Sequence, residues 1–238
     1  MRKPMSTPCA GQPAHETQAI FPTTLLPMKR RDLIKALGAA PLTGVVSAAA
    51  NGAKPGGQGL YRVSGSVLVN GKPAKEGSPV RAGDTVVTGP GSEAVFVVGQ
   101  DAYRMRGDSR VSLIGDTLKS GLRVLSGGLL SVFGRGEKQI FTPSATIGIR
   151  GTGCYLEAEA ERVYFCLCYG VAEVVPSAAP ARKEVIETRY HDHPIYILAD
   201  GSRSMIPATV MNHSDAELIE LEGLVGRQPP FYGGKWKY

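Results

Sequence analysis

Three cysteines lie close together in the second half of the chain, which contains four cysteines among its 238 residues. Cys154 lies on one strand-like run, Cys166 and Cys168 lie on the next, and Glu159 to Arg162 form the predicted turn between the runs. Because side chains alternate along a strand, Cys166 and Cys168 should point to the same face. With Cys154 roughly opposite Cys166 the three thiols should converge, whereas a slip of one residue would send Cys154 to the opposite face.

Two histidines follow these cysteines in the segment YHDHP. His191 and His193 project to the same side if this segment is extended, and His213 comes later, where it is expected to belong to a helix cap. Thiolates and neutral imidazoles are the ligands that zinc and the softer transition metals prefer. These residues therefore indicate a site for a zinc or copper ion, although their spacing matches no zinc-finger pattern. The candidate ligands are Cys154, Cys166, Cys168 and one of His191 or His193.

Two other interpretations of the thiols stay open. Cysteine is among the most buried residue types, so the three side chains would on one interpretation fill a core between strands. On the other, an exported protein would join Cys154 to Cys166 in a disulfide and leave Cys168 as a spare thiol. His191 and His193, taken alone, indicate a polar loop.

Residues 28–50 have the pattern of a signal peptide. A basic start is followed by an apolar run with one lysine and by small residues that end at Ala50. The stretch RRDLIK, which begins at Arg30, resembles the twin-arginine export signal. We expect Met28 to be the true start, residues 1–27 to be a leader without periodicity, and cleavage after Ala50 to release the protein to the periplasm or beyond.

The charge of the chain excludes one class of partner. The formal net charge is +6, and residues 1–50 carry six Lys and Arg against two acidic residues, so the mature chain retains about +2. This charge is too weak for a nucleic-acid-binding surface. No run after residue 50 is apolar for long enough to span a bilayer.

The mature chain reads as one β-rich domain behind a flexible linker at 51–60. From residue 61 to 175, short runs rich in Val, Ile, Leu and Tyr alternate with Gly, Asp and Asn, which predicts an all-β fold. Asn70 and Gly71 form a strong hairpin signal, because both tolerate the positive φ of a tight turn. No stretch in this range has a sustained helical period.

The same range resembles the FecR domain. The resemblance rests on Gly83-Asp84-Thr85, on Ser126-Gly127-Gly128, and above all on TPSATIGIRGT between Thr142 and Thr152. It implies a right-handed β-solenoid-like stack of short strands and a periplasmic location, and some members of that family relay an iron-uptake signal to a sigma factor. The motif residues are Gly83, Asp84, Thr142, Pro143, Arg150, Gly151 and Thr152.

Two departures limit what the resemblance implies. The sequence has no sigma-binding helical region or membrane helix, and Cys154 stands where a large apolar residue is usual. The motifs G-x-S-x-G and H-E-x-x-H and the P-loop are missing, so the sequence does not favour an enzyme. It favours an exported, non-catalytic interaction or scaffold module with a protein or cell-envelope partner. The alternative is a metal-binding or redox protein that uses the Cys and His cluster.

Residues 176–238 predict a small extension made of a hairpin and a helix. Strand runs at 194–198 and 202–207 flank the turn signal Asp200-Gly201. Ser214 and Glu217 then fit a capping box at a helix start. The predicted apolar face of this helix comprises Leu218, Leu221 and Val225.

Overall fold

The computed structural model describes residues 57–115, 120–201 and 204–234. The predicted leader at 1–27, the signal peptide at 28–50 and most of the linker at 51–60 lie outside the described residues. Within the described ranges, no helix is both long and apolar enough to cross a membrane.

The described residues form a β-rich fold with one short α-helix, which confirms the all-β class and the helix in the extension. A single turn of 3₁₀-helix covers Pro180–Arg182, and α1 covers Asp215–Leu224. The strands are β1 Gly59–Ser64, β2 Val67–Val69, β3 Lys72–Pro73, β4 Thr85–Thr88, β5 Glu93–Val98, β6 Asp101–Met105, β7 Arg110–Gly115, β8 Ser120–Val132, β9 Glu137–Phe141, β10 Ala145–Ala158, β11 Arg162–Pro176, β12 Glu184–Thr188, β13 Ile195–Leu198 and β14 Met205–Pro207.

The pairing of these strands differs in one respect from the expected stack of solenoid turns. Among the described strands only β8 and β9 pair in parallel, and every other pairing is antiparallel. The cause lies in the connections: a tight turn reverses the chain into an antiparallel neighbour, while a parallel pair needs a long crossover. Asn70 and Gly71, both at positive φ, make such a turn between β2 and β3.

The two longest strands, β10 and β11, form the centre of the sheet. β10 pairs with β9 as far as Arg150 and with β8 from Gly153 onward. Between these two halves lies an irregularity at Gly151, whose φ of 58° falls in the left-handed region. β11 in turn pairs with β12 near its end and with β13 near its start, so the extension continues the same sheet.

Both faces of the sheet are buried, each by a different set of apolar side chains. We call them the first face and the second face. The first includes Phe96, Leu122, Ile140, Ile147, Cys154, Phe165 and Leu167. The second includes Val95, Val97, Leu130, Val132, Tyr155, Tyr164, Cys166 and Cys168, and it is covered by residues that follow β14.

Helix α1 lies on the second face, and its start matches the predicted capping box. The Ser214 backbone N–H donates to Glu217 Oε2 at 3.0 Å, and the Glu217 backbone N–H donates to Ser214 Oγ at 3.4 Å. Leu218 and Leu221 are fully buried as expected, whereas Val225 is only half-buried and Leu224 is buried in addition. The predicted hairpin is also present as β13 and β14.

Candidate metal centre

Cys166 and Cys168 lie two residues apart on β11 and share the second face of the sheet. Both side chains are fully buried. The strand is buried along this stretch on both faces, because Phe165 and Leu167 pack into the opposite core. Alternation along an extended strand therefore sets two thiols side by side beneath the segment that covers the second face.

His191 reaches the same thiols from a tight turn after β12. Thr188 organises this turn: its hydroxyl donates to Asp192 Oδ2 at 2.6 Å and accepts the backbone N–H groups of Tyr190 and Asp192. His191 itself has a φ of 48° and donates its backbone N–H to the Cys168 carbonyl at 3.1 Å. Its ring is buried, with Nδ1 3.5 Å from Cys166 Sγ.

His213 comes from the residue before the helix cap. Its ring stacks on Tyr155 with the ring centroids 4.8 Å apart, and Nδ1 lies 2.7 Å from the Met211 carbonyl oxygen. Since a carbonyl can only accept, Nδ1 donates to it, and in the neutral ring Nε2 then carries a lone pair. Nε2 lies 3.1 Å from His191 Nδ1, so the two imidazoles meet at the thiols.

The four side chains have the dimensions of a tetrahedral site. Their ligand atoms all lie within 4.8 Å of one another, and all four residues are buried. Zinc bonds of about 2.3 Å to sulfur and about 2.0 Å to nitrogen, arranged tetrahedrally, place two nitrogens about 3.3 Å apart and a nitrogen and a sulfur about 3.5 Å apart. Two of the six separations, 3.1 Å between the imidazole nitrogens and 3.5 Å between His191 Nδ1 and Cys166 Sγ, are close to these values.

The two thiols differ in their tendency to ionise. Hydrogen bonding from Cys168 lowers the pKa of Cys166 far below its usual value, and contacts with His191 and His213 lower it further against the opposing effect of burial. Burial raises the pKa of Cys168, and the neighbouring Cys166 raises it more. These opposite pKa shifts favour the thiolate at Cys166 and the thiol at Cys168, so a metal ion would displace a proton from Cys168.

A carboxylate stands behind one of the imidazoles. Asp215 Oδ1 lies 3.4 Å from His191 Nε2, on the side of the ring away from the thiols. The Tyr190 hydroxyl donates to Asp215 Oδ2 at 2.7 Å and holds this carboxylate in place. A carboxylate beside a histidine ring is common around metal sites, where it orients the ring.

Two of the predicted ligands lie elsewhere. Cys154 pairs with Leu167 and not with Cys166, so its side chain belongs to the first face. The turn formed by the four residues after Ala158 places Ala158 opposite Val163. Counting back along both strands from this pair places Cys154 opposite Leu167. Cys154, Cys166 and Cys168 are all free thiols, and the Cys154–Cys166 disulfide is excluded because the two side chains project to opposite faces.

His193 is exposed. His213 takes the place in the cluster that the sequence predicted for His193. The YHDHP segment is a turn and not an extended strand, so its two histidines point in different directions. His213 was expected only as part of a helix cap.

The FecR-like motif residues hold turns and strand junctions. Gly83, with a φ of 93°, precedes Asp84, whose carboxylate accepts the Arg81 backbone N–H at 2.8 Å. The Thr142 hydroxyl closes the turn around Pro143 by accepting the Ala145 backbone N–H at 3.0 Å. At the junction in β10, Arg150 forms an exposed ion pair with Glu137. Gly151 bends the strand. The carbonyl of the buried Thr152 accepts the Phe133 backbone N–H.

The described chain is thus an all-β protein with a buried cluster of two cysteines and two histidines. No family model and no curated protein matches it. Two crystal structures described as those of a "putative anti-sigma factor from Parabacteroides distasonis ATCC 8503" are similar, at 11% and 12% identity with TM-scores of 0.45 and 0.44. The similarity covers 58% of this chain and 65% and 64% of those chains, which is less than two thirds of their length. Similarity at this level defines neither a family nor an activity.

Proposed function

We propose that this chain is a non-catalytic binding protein that holds a single transition-metal ion, zinc or copper, between Cys166, Cys168, His191 and His213. The observation that carries the proposal is the meeting of four soft ligand atoms, within 4.8 Å of one another, from three separate parts of the chain. Two thiolates also neutralise a divalent ion, which lowers the cost of burying its charge.

A core-filling role explains Cys154 but not the other two thiols. Cys154 is surrounded by apolar side chains of the first face. Cys166 and Cys168 instead lie against two buried imidazoles, and thiolates and imidazoles together are the ligands that zinc and copper prefer. A bond between Cys166 and Cys168 is also disfavoured, because neighbours on one strand face hold their side chains parallel.

The closed ligand set favours a structural or storage role for the ion. Four protein ligands complete a tetrahedral shell and leave no position for a substrate or water, as in structural zinc sites. Two thiolates with two imidazoles also suit copper, since soft ligands favour its reduced form. The proposal therefore covers both ions and leaves the choice to measurement.

Export and an envelope partner belong to the same proposal. The signal-peptide pattern at 28–50 and the FecR-like motifs support an exported interaction module with a protein or cell-envelope partner. A twin-arginine route would suit a protein that folds and loads a metal before it crosses the membrane.

Elemental analysis of untagged protein purified from the periplasm, with zinc and copper measured separately, tests the metal proposal. We expect about one ion per chain, as for a structural site with four ligands. Cys166→Ser, Cys168→Ser and His213→Ala should each retain far less metal after dialysis against a chelator.

Matched controls exist for both ligand types. Cys154→Ser removes an equally buried thiol from the first face, and His193→Ala removes an exposed imidazole two residues from His191. Both should retain metal like the unmodified protein. A metal content well below one ion per chain, with three thiols that titrate in denaturant without reductant, would refute the proposal.

A further inference from the structure

We infer that the metal ion latches residues 208–231, which we call the C-terminal segment, onto the second face of the sheet. This inference rests on the proposed function and adds a regulatory consequence to it: metal occupancy controls whether the second face is covered. It follows from where the four ligands come from and from what the segment covers.

The C-terminal segment is the cover of the second face. Leu218, Leu221 and Leu224 of α1 pack there together with Phe231. Beneath them lie side chains from β5, β6, β8, β10 and β11, including Tyr155 and the fully buried Val95 and Leu130. Undocking of the segment would therefore expose a broad apolar surface of the sheet.

The ligands divide between the sheet and its cover. Cys166 and Cys168 belong to β11, and His191 belongs to a turn whose backbone N–H bonds to β11. His213 belongs to the C-terminal segment, directly before Ser214, the cap of α1. An ion bound to all four joins the start of the helix to the central strand of the sheet.

A second contact extends this connection into the helix. Asp215, the first residue of α1, lies 3.4 Å from His191 and accepts the Tyr190 hydroxyl at 2.7 Å. The helix start therefore touches the metal ligands on two sides, through His213 and through Asp215. Because Asp215 contacts His191, an ion that fixes the His191 ring also restrains Asp215 at the start of the helix.

Besides the buried leucines and Phe231, contacts farther along the segment include several ion pairs, some of them partly exposed. Arg104 and Arg106 pair with Glu217 at 3.5 Å and 2.8 Å, and Arg62 pairs with Glu220 at 2.5 Å with 43% of its side chain exposed. Ion pairs near the surface contribute little and weaken with salt. The ion would thus add a link at the start of the segment to the buried apolar packing of α1 and to the nearly buried pair of Arg104 with Glu220 farther along.

Hydrogen exchange of the full chain, with and without the ion, tests the latch. Zinc-loaded protein and protein stripped with a chelator would be compared by mass spectrometry at matched salt and pH, and the metal content of each sample would be measured alongside. We expect amides of α1 to exchange about 5- to 150-fold faster without zinc, the usual range of coupling between two sites. Amides of the first-face strand β9 should change little.

Two ligand variants separate the latch from simple metal binding. His191→Ala and His213→Ala each remove one imidazole and leave three ligands, so both should bind zinc more weakly. At saturating zinc, His191→Ala should still slow the exchange of α1, because His213 still joins the segment to the ion. His213→Ala should bind zinc and slow α1 far less, because only the contact of His191 with Asp215 then connects the ion to the helix.

The outcomes distinguish the latch from the metal site itself. Zinc bound in stoichiometric amount with equal exchange of α1 in both forms would overturn the latch and leave the metal site intact. Equal protection of α1 in the two saturated variants would overturn it as well. Failure of the unmodified protein to bind zinc or copper would remove the proposed function and the latch together.

Discussion

The pH dependence of metal affinity follows from the unequal thiols of the site. A metal ion binds thiolates, so each thiol that is protonated in the metal-free protein must release a proton on binding. The pKa of Cys166 lies far below its usual value because of hydrogen bonding from Cys168 and the contacts with the two histidines, and burial raises the pKa of Cys168. At neutral pH binding should therefore release one thiol proton, from Cys168.

The magnitude follows from this count. Because binding releases a proton, affinity rises as pH rises, and one released proton corresponds to about a tenfold increase per pH unit. Two ordinary thiols, with pKa values of about 8.5, would both be protonated near pH 7 and would give about a hundredfold increase per unit. Over one pH unit, the expected increases in metal affinity for one and for two released protons therefore differ about tenfold.

Competition with a coloured chelator of known pH dependence measures this slope. Zinc affinity would be determined between about pH 7 and about pH 8, below the ordinary pKa of a cysteine. Cys154→Ser, which removes a thiol from the other face of the sheet, should give the same slope. A hundredfold increase per unit would show that Cys166 is protonated in the metal-free protein and would refute the account of the two thiols.

Three further predictions concern stability and export. Gly151→Val should destabilise the fold by more than about 1 kcal/mol in a denaturant titration. The space around the new β-carbon is open, but a φ of 58° is strained for a β-branched residue. An unchanged unfolding midpoint would contradict this. Arg104→Ala should cost about 3–5 kcal/mol, because the nearly buried guanidinium neutralises Glu93 and the helix carboxylates, whereas Arg62→Ala at the exposed pair should cost less than about 1 kcal/mol. Equal losses in the two variants would contradict the role of burial. Arg30→Lys combined with Arg31→Lys should keep the precursor in the cytoplasm in a fractionation experiment, and unchanged export would exclude the twin-arginine route while leaving the signal peptide in place.

Local patterns in the sequence were sufficient to predict the strands, a tight turn and the start of the helix. The alternation of apolar residues predicts the strands, Asn70-Gly71 predicts a tight turn that the structure contains, and Ser214 with Glu217 predicts the start of α1. Each of these signals acts over a few residues, through backbone conformation or a single capping contact. The class of the fold and its hairpin-plus-helix extension follow from them.

The exact partners across the sheet depend on longer-range geometry. Cys154 faces away from Cys166 because the pairing of β10 with β11 is offset by one residue from the rough estimate, and a shift of one reverses the face of a side chain. His213 joins the cluster only because the C-terminal segment folds back over β11, a contact that no local pattern encodes. Sequence reasoning therefore predicted three of the four side chains of the cluster, Cys166, Cys168 and His191, and misplaced Cys154 and His193.

The placement of the cover also bears on the order in which the protein can be completed during synthesis. Leu218, Leu221 and Phe231 follow every strand that they bury, so the ribosome makes the whole sheet before it makes the residues that shield the second face. Chains fold from the N-terminus as they emerge, at about 5–20 residues per second. The nascent sheet thus carries an exposed apolar surface for a period, and chaperones have their clearest binding opportunity there. His213 is likewise made after Cys166, Cys168 and His191, so the complete ligand set exists only after the sheet has left the ribosome.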